Sequence, residues 1–351
     1  MLKAKFKKHT LEFKRPSGTS RGVLKIKETW FLIVWNDESP NIKGIGECGL
    51  LKTLSYDERP NYEEKLQEVC DNINDHQDYL ISGLKDWPSI HFGLEMALTD
   101  LENKGNKKLF PSKFTSGLES IKINGLVWMG EYDFMRSQII EKIDSGFDCI
   151  KLKIGAIDFD QELSLLKQIR SEFSESEIEI RVDANGAFIP GNALHKLNEL
   201  SKFNLHSIEQ PIKQGQLEDM AKLCLEAPFP IALDEELIGL TTIKEKKKVL
   251  DTIKPQYIIL KPSLVGGFKG SLEWINLAKQ REIKWWITSA LESNIGLNAI
   301  AQWTYSLNNE MPQGLGTGGL FTNNIDSPLE VEKGHLQYNP TKDWGLGLLN
   351  D

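Results

Sequence analysis

The chain has 351 residues, 40% hydrophobic and 26% charged, enough for one large domain or two ordinary ones with a well-buried core. Its formal net charge of −8 argues against nucleic acid as the main partner, because phosphate binding needs a basic face. No apolar run approaches the roughly 18–20 residues that span a bilayer, so no membrane partner is expected.

Met1 to Phe13 sets Lys3, Lys5 and Lys7 between Leu2, Ala4 and Phe6. That alternation predicts a strand with one wet face, and the stretch lacks the apolar core of a signal peptide. Thr29–Trp35 (TWFLIVW) predicts a second strand, followed by a glycine-rich turn at Gly44-Ile45-Gly46. Helical patterns cover Tyr62–Ile73 and Ser89–Lys104, the latter entered through Pro88. Strands followed by helices predict a small α+β domain. Cys48, Cys70, Cys149 and Cys224 are far apart, with no C-x-x-C pair and no histidine cluster. They suggest neither a zinc site nor a disulfide framework, and free thiols point to a reducing, cytoplasmic location.

From Ile121 the pattern changes. Short β-rich runs at Ile121–Val127, Cys149–Ile154, Glu179–Val182, Ser207–Glu209, Ile231–Leu233, Tyr257–Leu260, Lys284–Thr288 and Gln313–Leu315 are separated by amphipathic stretches such as Phe159–Phe173 and Asn192–Phe203. Eight strands alternating with helices predict an α/β fold, a parallel β/α barrel. No G-x-G-x-x-G follows the first strand and there is no P-loop, so a nucleotide-binding open sheet lacks its signature.

In such a barrel, chemistry sits at the C-terminal ends of the strands. The third, fourth and fifth strands end at Asp183, Glu209 and Asp234, each one βα unit after the last. Three carboxylates in one barrel mouth repel unless a cation lies between them, and hard oxygen ligands suit Mg²⁺, with Mn²⁺ as an alternative. Lys151 and Lys153 are two apart on the second strand and share a face, while Lys261 ends the sixth strand across the barrel. Crowding and burial are expected to lower a lysine pKa and make one of the pair a base near neutrality. A cation beside a substrate carboxylate acidifies the α-carbon by stabilising the enediolate left by proton loss, so proton abstraction next to a carboxylate is the predicted chemistry.

Five stretches carry a resemblance: Ile150–Gly155 (IKLKIG), Arg181–Gly186 (RVDANG), Ile208–Pro211 (IEQP), Ala232–Glu236 (ALDEE) and Leu260–Gly267 (LKPSLVGG). In this order the chain resembles the enolase superfamily, in its muconate-lactonizing branch, with lysines on both sides of the site. The resemblance implies a modified (β/α)8 barrel of (β/α)7β type over 116–324, with an N-terminal α+β capping domain over 1–115 completed by 325–351. It implies Asp183, Glu209 and Asp234 as metal ligands, Lys153 as base with Lys151 supporting it, Lys261 as the opposing lysine, and Asn185 and Glu235 behind them. Dipeptide epimerases of this branch carry Asp-x-Asp after the seventh strand, and Thr288–Gly296 (TSALESNIG) has no such pair. That segment and Gly314–Phe321 (GLGTGGLF) look more like the o-succinylbenzoate synthases. This implies syn loss of water from 2-succinyl-6-hydroxy-2,4-cyclohexadiene-1-carboxylate in menaquinone synthesis. Racemisation of N-acylamino acids, dipeptide epimerisation and muconate-type cycloisomerisation are the alternatives. Ser289, Glu292, Ser293, Gly316 and Arg21 are the expected contacts to a small carboxylate substrate, with Ser17–Arg21 and Gly49–Leu54 as closing loops. Homo-oligomerisation is left open.

Overall fold

The computed structural model describes residues 1–19 and 22–349. Its first sheet is antiparallel, with strands Leu2–Thr19, Gly22–Asn36 and Ser39–Gly49 paired in that order. Along the middle strand Trp30, Leu32 and Val34 join a core with Leu66, Val69, Ile90 and Leu94 of the helices Tyr62–Asp71 and Pro88–Glu102. Phe31 and Ile33 point the other way, as a two-residue period requires, and meet Ile45, Ile295, Ile325 and Leu349. A sheet covered on both faces explains why Thr29–Trp35 is nearly continuously apolar.

Gly44 and Gly46 do not form the expected turn. Both lie within the third strand, where the helix Pro88–Glu102 presses against it. A Cβ at Gly44 would fall 1.9 Å from the Ala97 carbonyl oxygen, and one at Gly46 would fall 1.8 Å from that of Gly93. The glycines permit close backbone approach between strand and helix.

Seven parallel strands follow in sequence order: Gly125–Val127, Cys149–Lys153, Glu179–Asp183, Ser207–Glu209, Ile231–Leu233, Tyr257–Leu260 and Lys284–Ile287. The expected eighth strand is reduced to two bridges, Gln313 with Ile123 and Gly314 with Thr288, which close the barrel. Only glycine fits at 314, because a Cβ there would lie 2.0 Å from Thr288 Oγ1. Ile121 and Lys122, expected in the first barrel strand, instead pair with His335–Tyr338 in a small antiparallel sheet. Outward-facing residues such as Ile150, Val182, Ile208, Leu233, Ile258 and Ile287 pack against the surrounding helices in one large core. The C-terminal segment is shared: Ile325, Trp344, Leu346 and Leu349 touch the cap sheet, whereas 329–338 brace the barrel. The four cysteines are free and buried. Among the described residues no helix is long and apolar enough to cross a membrane.

Candidate active site

Parallel pairing assembles the site. Lys153 stands opposite Asp183, and Asp183 opposite Glu209, so the ends of three strands share one layer. Lys153 Nζ donates to Asp183 Oδ2 at 3.0 Å and to Asn185 Oδ1 at 2.6 Å. Lys151 Nζ donates to Asp183 Oδ2 at 3.0 Å and to Glu209 Oε2 at 2.6 Å. From the opposite side of the barrel, Lys261 donates to Asp234. Asn185 is itself held, its backbone N–H on Asp183 Oδ1 at 3.0 Å and its side chain on Glu235 Oε1 at 3.1 Å. The structure thus brings together Lys151, Lys153, Asp183, Asn185, Glu209, Asp234, Glu235 and Lys261, all at the strand ends.

Charge balance decides the protonation of the group. Burial alone would raise the Asp183 carboxyl, but Lys151, Lys153 and Lys261 hold it well below the usual carboxylate range. Burial likewise opposes ionisation of Asp234, yet Lys261 keeps it low. Glu209 goes the other way: burial and the Asp183 charge, aided by Asp234, push it up to about 8 despite Lys151. The lowering expected within the lysine pair is corrected for Lys151. Burial lowers Lys151 and Lys261, but the carboxylates facing them outweigh it and raise both. The carboxylates prevail because they lie within hydrogen-bond distance, as the 2.6 Å from Lys151 Nζ to Glu209 Oε2 shows.

Among the described residues, no three carboxylate, imidazole or thiol groups converge as a preformed metal cage. Lysine ammonium groups lie between the acids instead. The donor set nevertheless suits a hard dication. Glu209 Oε1 is buried without a hydrogen-bond partner, and the carboxylate repulsion on Glu209 is the kind a cation relieves. Asp183, Glu209 and Asp234 are the residues that could hold it.

The three lysines, Asp183 and Asn185 open on a cavity of about 700 Å³. Leu51 and Leu54 from the cap, with Trp128, Leu291 and Leu320 from the barrel loops, form its apolar wall. Ser289 and Gly316 line it, as the sequence suggests. Glu292 and Ser293 do not. Glu292 is fully buried, accepting from the Ser263 hydroxyl and from Ala290 N–H, and so ties the loop after Lys261 to the loop after the seventh strand. Ser293 turns to Glu47 of the cap, donating through N–H at 2.9 Å and Oγ at 2.5 Å. Arg21 lies outside the described residues.

Three contributors escape the sequence reading. Gln210, with φ +40°, accepts from the N–H groups of Asp234 and Glu236 and donates to Ile212 O, fixing the loop that carries Asp234. Glu162 reaches back from the helix Phe159–Glu172 to Gly155 N–H at 2.6 Å, fixing the turn just after Lys153. Trp128 sets its ring 6.0 Å from Lys153 Nζ. Gln210 stands in the I-E-Q-P stretch, where its type gave a signal; nothing in the sequence separates Glu162 or Trp128 from ordinary helix and core residues.

Residues 135–350 match the family model described as enolase C-terminal domain-like. The chain is 48% identical to an o-succinylbenzoate synthase of Desulfotalea psychrophila, over 95% of this chain and 98% of that one. It is 25% identical to a hydrophobic dipeptide epimerase of Enterococcus faecalis, over 80% of this chain and 77% of that one. A crystal structure of MenC from Desulfotalea psychrophila superposes with a TM-score of 0.85 at 45% identity, covering 96% of this chain and 99% of that one.

Proposed function

We propose a reaction from one premise: this chain belongs to the enolase C-terminal domain-like family, the enolase superfamily. The reaction is Mg²⁺-dependent syn dehydration of 2-succinyl-6-hydroxy-2,4-cyclohexadiene-1-carboxylate to o-succinylbenzoate. The observation that carries the chemistry is the placement of Lys153 and Lys261 on opposite sides of one cavity, with buried acids between them. The likeness to an o-succinylbenzoate synthase over nearly the whole chain narrows the substrate.

Asp183, Glu209 and Asp234 would hold the cation, which when bound neutralises negative charge growing on the substrate carboxylate. Lys153, in its amine form, takes the proton from the ring carbon that bears the carboxylate. The Asn185 carbonyl, 2.6 Å from Nζ, aims the amine. The resulting ammonium returns that proton to the hydroxyl on the adjacent ring carbon, which leaves as water from the same face. Lys261 stays cationic on the other face and stabilises the anionic ring between the two steps. Leu51, Leu54 and Trp128 exclude water from the ring.

The same two lysines would also serve a proton exchange at an α-carbon, as in a racemase. Against a dipeptide substrate stands the loop after the seventh strand, whose acid, Glu292, is turned to Ser263 and Ala290 and not to the cavity. The test is loss of diene absorbance on adding purified protein to the cyclohexadiene substrate, with Mg²⁺ and with excess chelator. Rapid, chelator-sensitive decay is expected. No decay, together with Mg²⁺-dependent deuterium uptake into N-acylamino acids, would move the assignment to a racemase.

A further inference from the structure

The helix Phe159–Glu172 carries a carboxylate that it does not need for itself. Its own start is served by Asp158, whose side chain accepts from Asp160 N–H at 3.0 Å. Glu162, 2% exposed, points back at the turn that follows Lys153. It accepts from Gly155 N–H at 2.6 Å, and the N–H groups of Ile157 and Ala156 add their pull on the same carboxylate. Burial nonetheless pushes this carboxyl up to about 7, opposed by those N–H groups and by the charge on Lys196 of the helix Pro190–Leu200. A carboxylate held out of water in this way costs stability that an apolar side chain would not, and what it supplies in exchange is order in the turn.

That turn reaches the base by two routes. Along the chain, Gly155 follows Lys153 by two residues. Across space, Gly155 packs so closely on Ala187 that a Cβ on it would lie 2.4 Å from the Ala187 Cβ. Ala187 closes the turn that presents Asn185, its N–H on Ala184 O at 2.9 Å, and Asn185 Oδ1 accepts from Lys153 Nζ at 2.6 Å. Phe159 and Phe188 extend the seam between the two segments with an edge contact at 6.3 Å. Glu162 itself lines no part of the cavity. We propose that Glu162 is a positioning residue for the proton transfer: by holding residues 155–157 it fixes the surface against which the Asn185 turn is set, and so the direction of the Lys153 amine. The inference rests on the reading above for the role of Lys153; how firmly that side chain is held can be measured without turnover.

The experiment compares Glu162→Ala and Glu162→Gln with the parent, each as the full chain with Mg²⁺. Glutamine keeps the volume but offers one acceptor oxygen and turns an amide NH2 toward N–H donors. In the diene assay kcat should fall about 10²-fold in Glu162→Ala and about tenfold in Glu162→Gln, with KM within about twofold, since a misplacement of about 1 Å carries such factors. Trace acetylation with acetic anhydride, read lysine by lysine by mass spectrometry, should rise several-fold at Lys153 in Glu162→Ala. It should not rise at Lys151 on the same strand or at the exposed Lys279. A parent-like kcat in Glu162→Ala, a loss carried by KM instead, or acetylation that leaves Lys153 unchanged or rises equally at Lys151 would overturn the proposal. Glu162 would then be a stabilising residue only. If Glu162→Ala does not fold, Glu162→Gln decides by the same two readings, parent-like values overturning the proposal. Should the parent leave the diene intact while acetylation still rises at Lys153 alone, the positioning stands and only the reaction is reassigned.

Discussion

Asp57 shows what burial does to a lone carboxylate. Oδ2 accepts from the N–H and the hydroxyl of Ser89, at 2.9 and 2.6 Å, while Oδ1 is buried without a partner. Burial pushes this carboxyl up to about 6, against the opposing pull of Ser89. A folded pKa above the unfolded value means that the fold favours the protonated form. Its contribution is complete below about pH 4 and is lost as pH rises through 6, a change of roughly 3 kcal/mol. Asp57→Asn keeps the acceptor for Ser89 and cannot titrate. Its stability relative to the parent chain should therefore rise between pH 4 and pH 7, as read by urea unfolding at several pH values; a constant difference would contradict this. At the site, Lys153→Ala should reduce kcat by at least 10²–10⁴-fold while circular dichroism stays unchanged. Undiminished turnover in that variant would remove the base from the mechanism.

At the scale of elements, two cap carboxylates seat the cap on the barrel. Glu47 accepts from Thr29 Oγ1, from Ser293 N–H and Oγ, and from Gly296 N–H, at the start of the helix Asn294–Ser306. Glu95 accepts from Phe268 and Lys269 N–H at the start of the helix Gly267–Lys279. Both satisfy helix N–H groups that have no partner within the helix and meet the positive end of its dipole. Glu47→Ala leaves those donors and the buried Lys27, 4.0 Å away, without their acid, at a cost of about 3–5 kcal/mol in thermal or chemical unfolding. Glu47→Gln should recover part of it. Such links between distant segments are hard to read from a chain. The strand-end acids and lysines are legible because a two-residue period and a repeated βα unit fix where each one points. Glu292 carries the same chemistry in the sequence but sits on a loop, where no period says whether it faces ligand or protein. Gly44 and Gly46 fail for a related reason: glycine marks both turns and close packing, and only the partner helix distinguishes them. The last barrel strand shrinks to two bridges because its pairing is set by Gly314 and Thr288 from distant segments, not by a run of β-branched residues.

At the scale of the whole molecule, three lysines and four acids are buried at the barrel's centre, and their balance couples the site to stability. Mg²⁺ binds the folded chain and not the unfolded one in this reading, so a hundredfold excess over Kd should stabilise it by roughly 3 kcal/mol. Differential scanning fluorimetry should show the rise for the parent chain and a much smaller one for Asp183→Asn. An equal rise in both would place the ion elsewhere.

The cap's contributions to the cavity all come from residues 14–54, whereas every strand-end acid and lysine lies between 151 and 261. Lid and floor are thus inherited as separate stretches of gene. One recombination event after the helix Pro88–Glu102 can bring a new lid to an old floor, provided the incoming segment keeps the acids at 47 and 95 for the barrel helices. New substrate preferences can then arise by exchange of a whole segment, with the proton-transfer machinery passed on untouched.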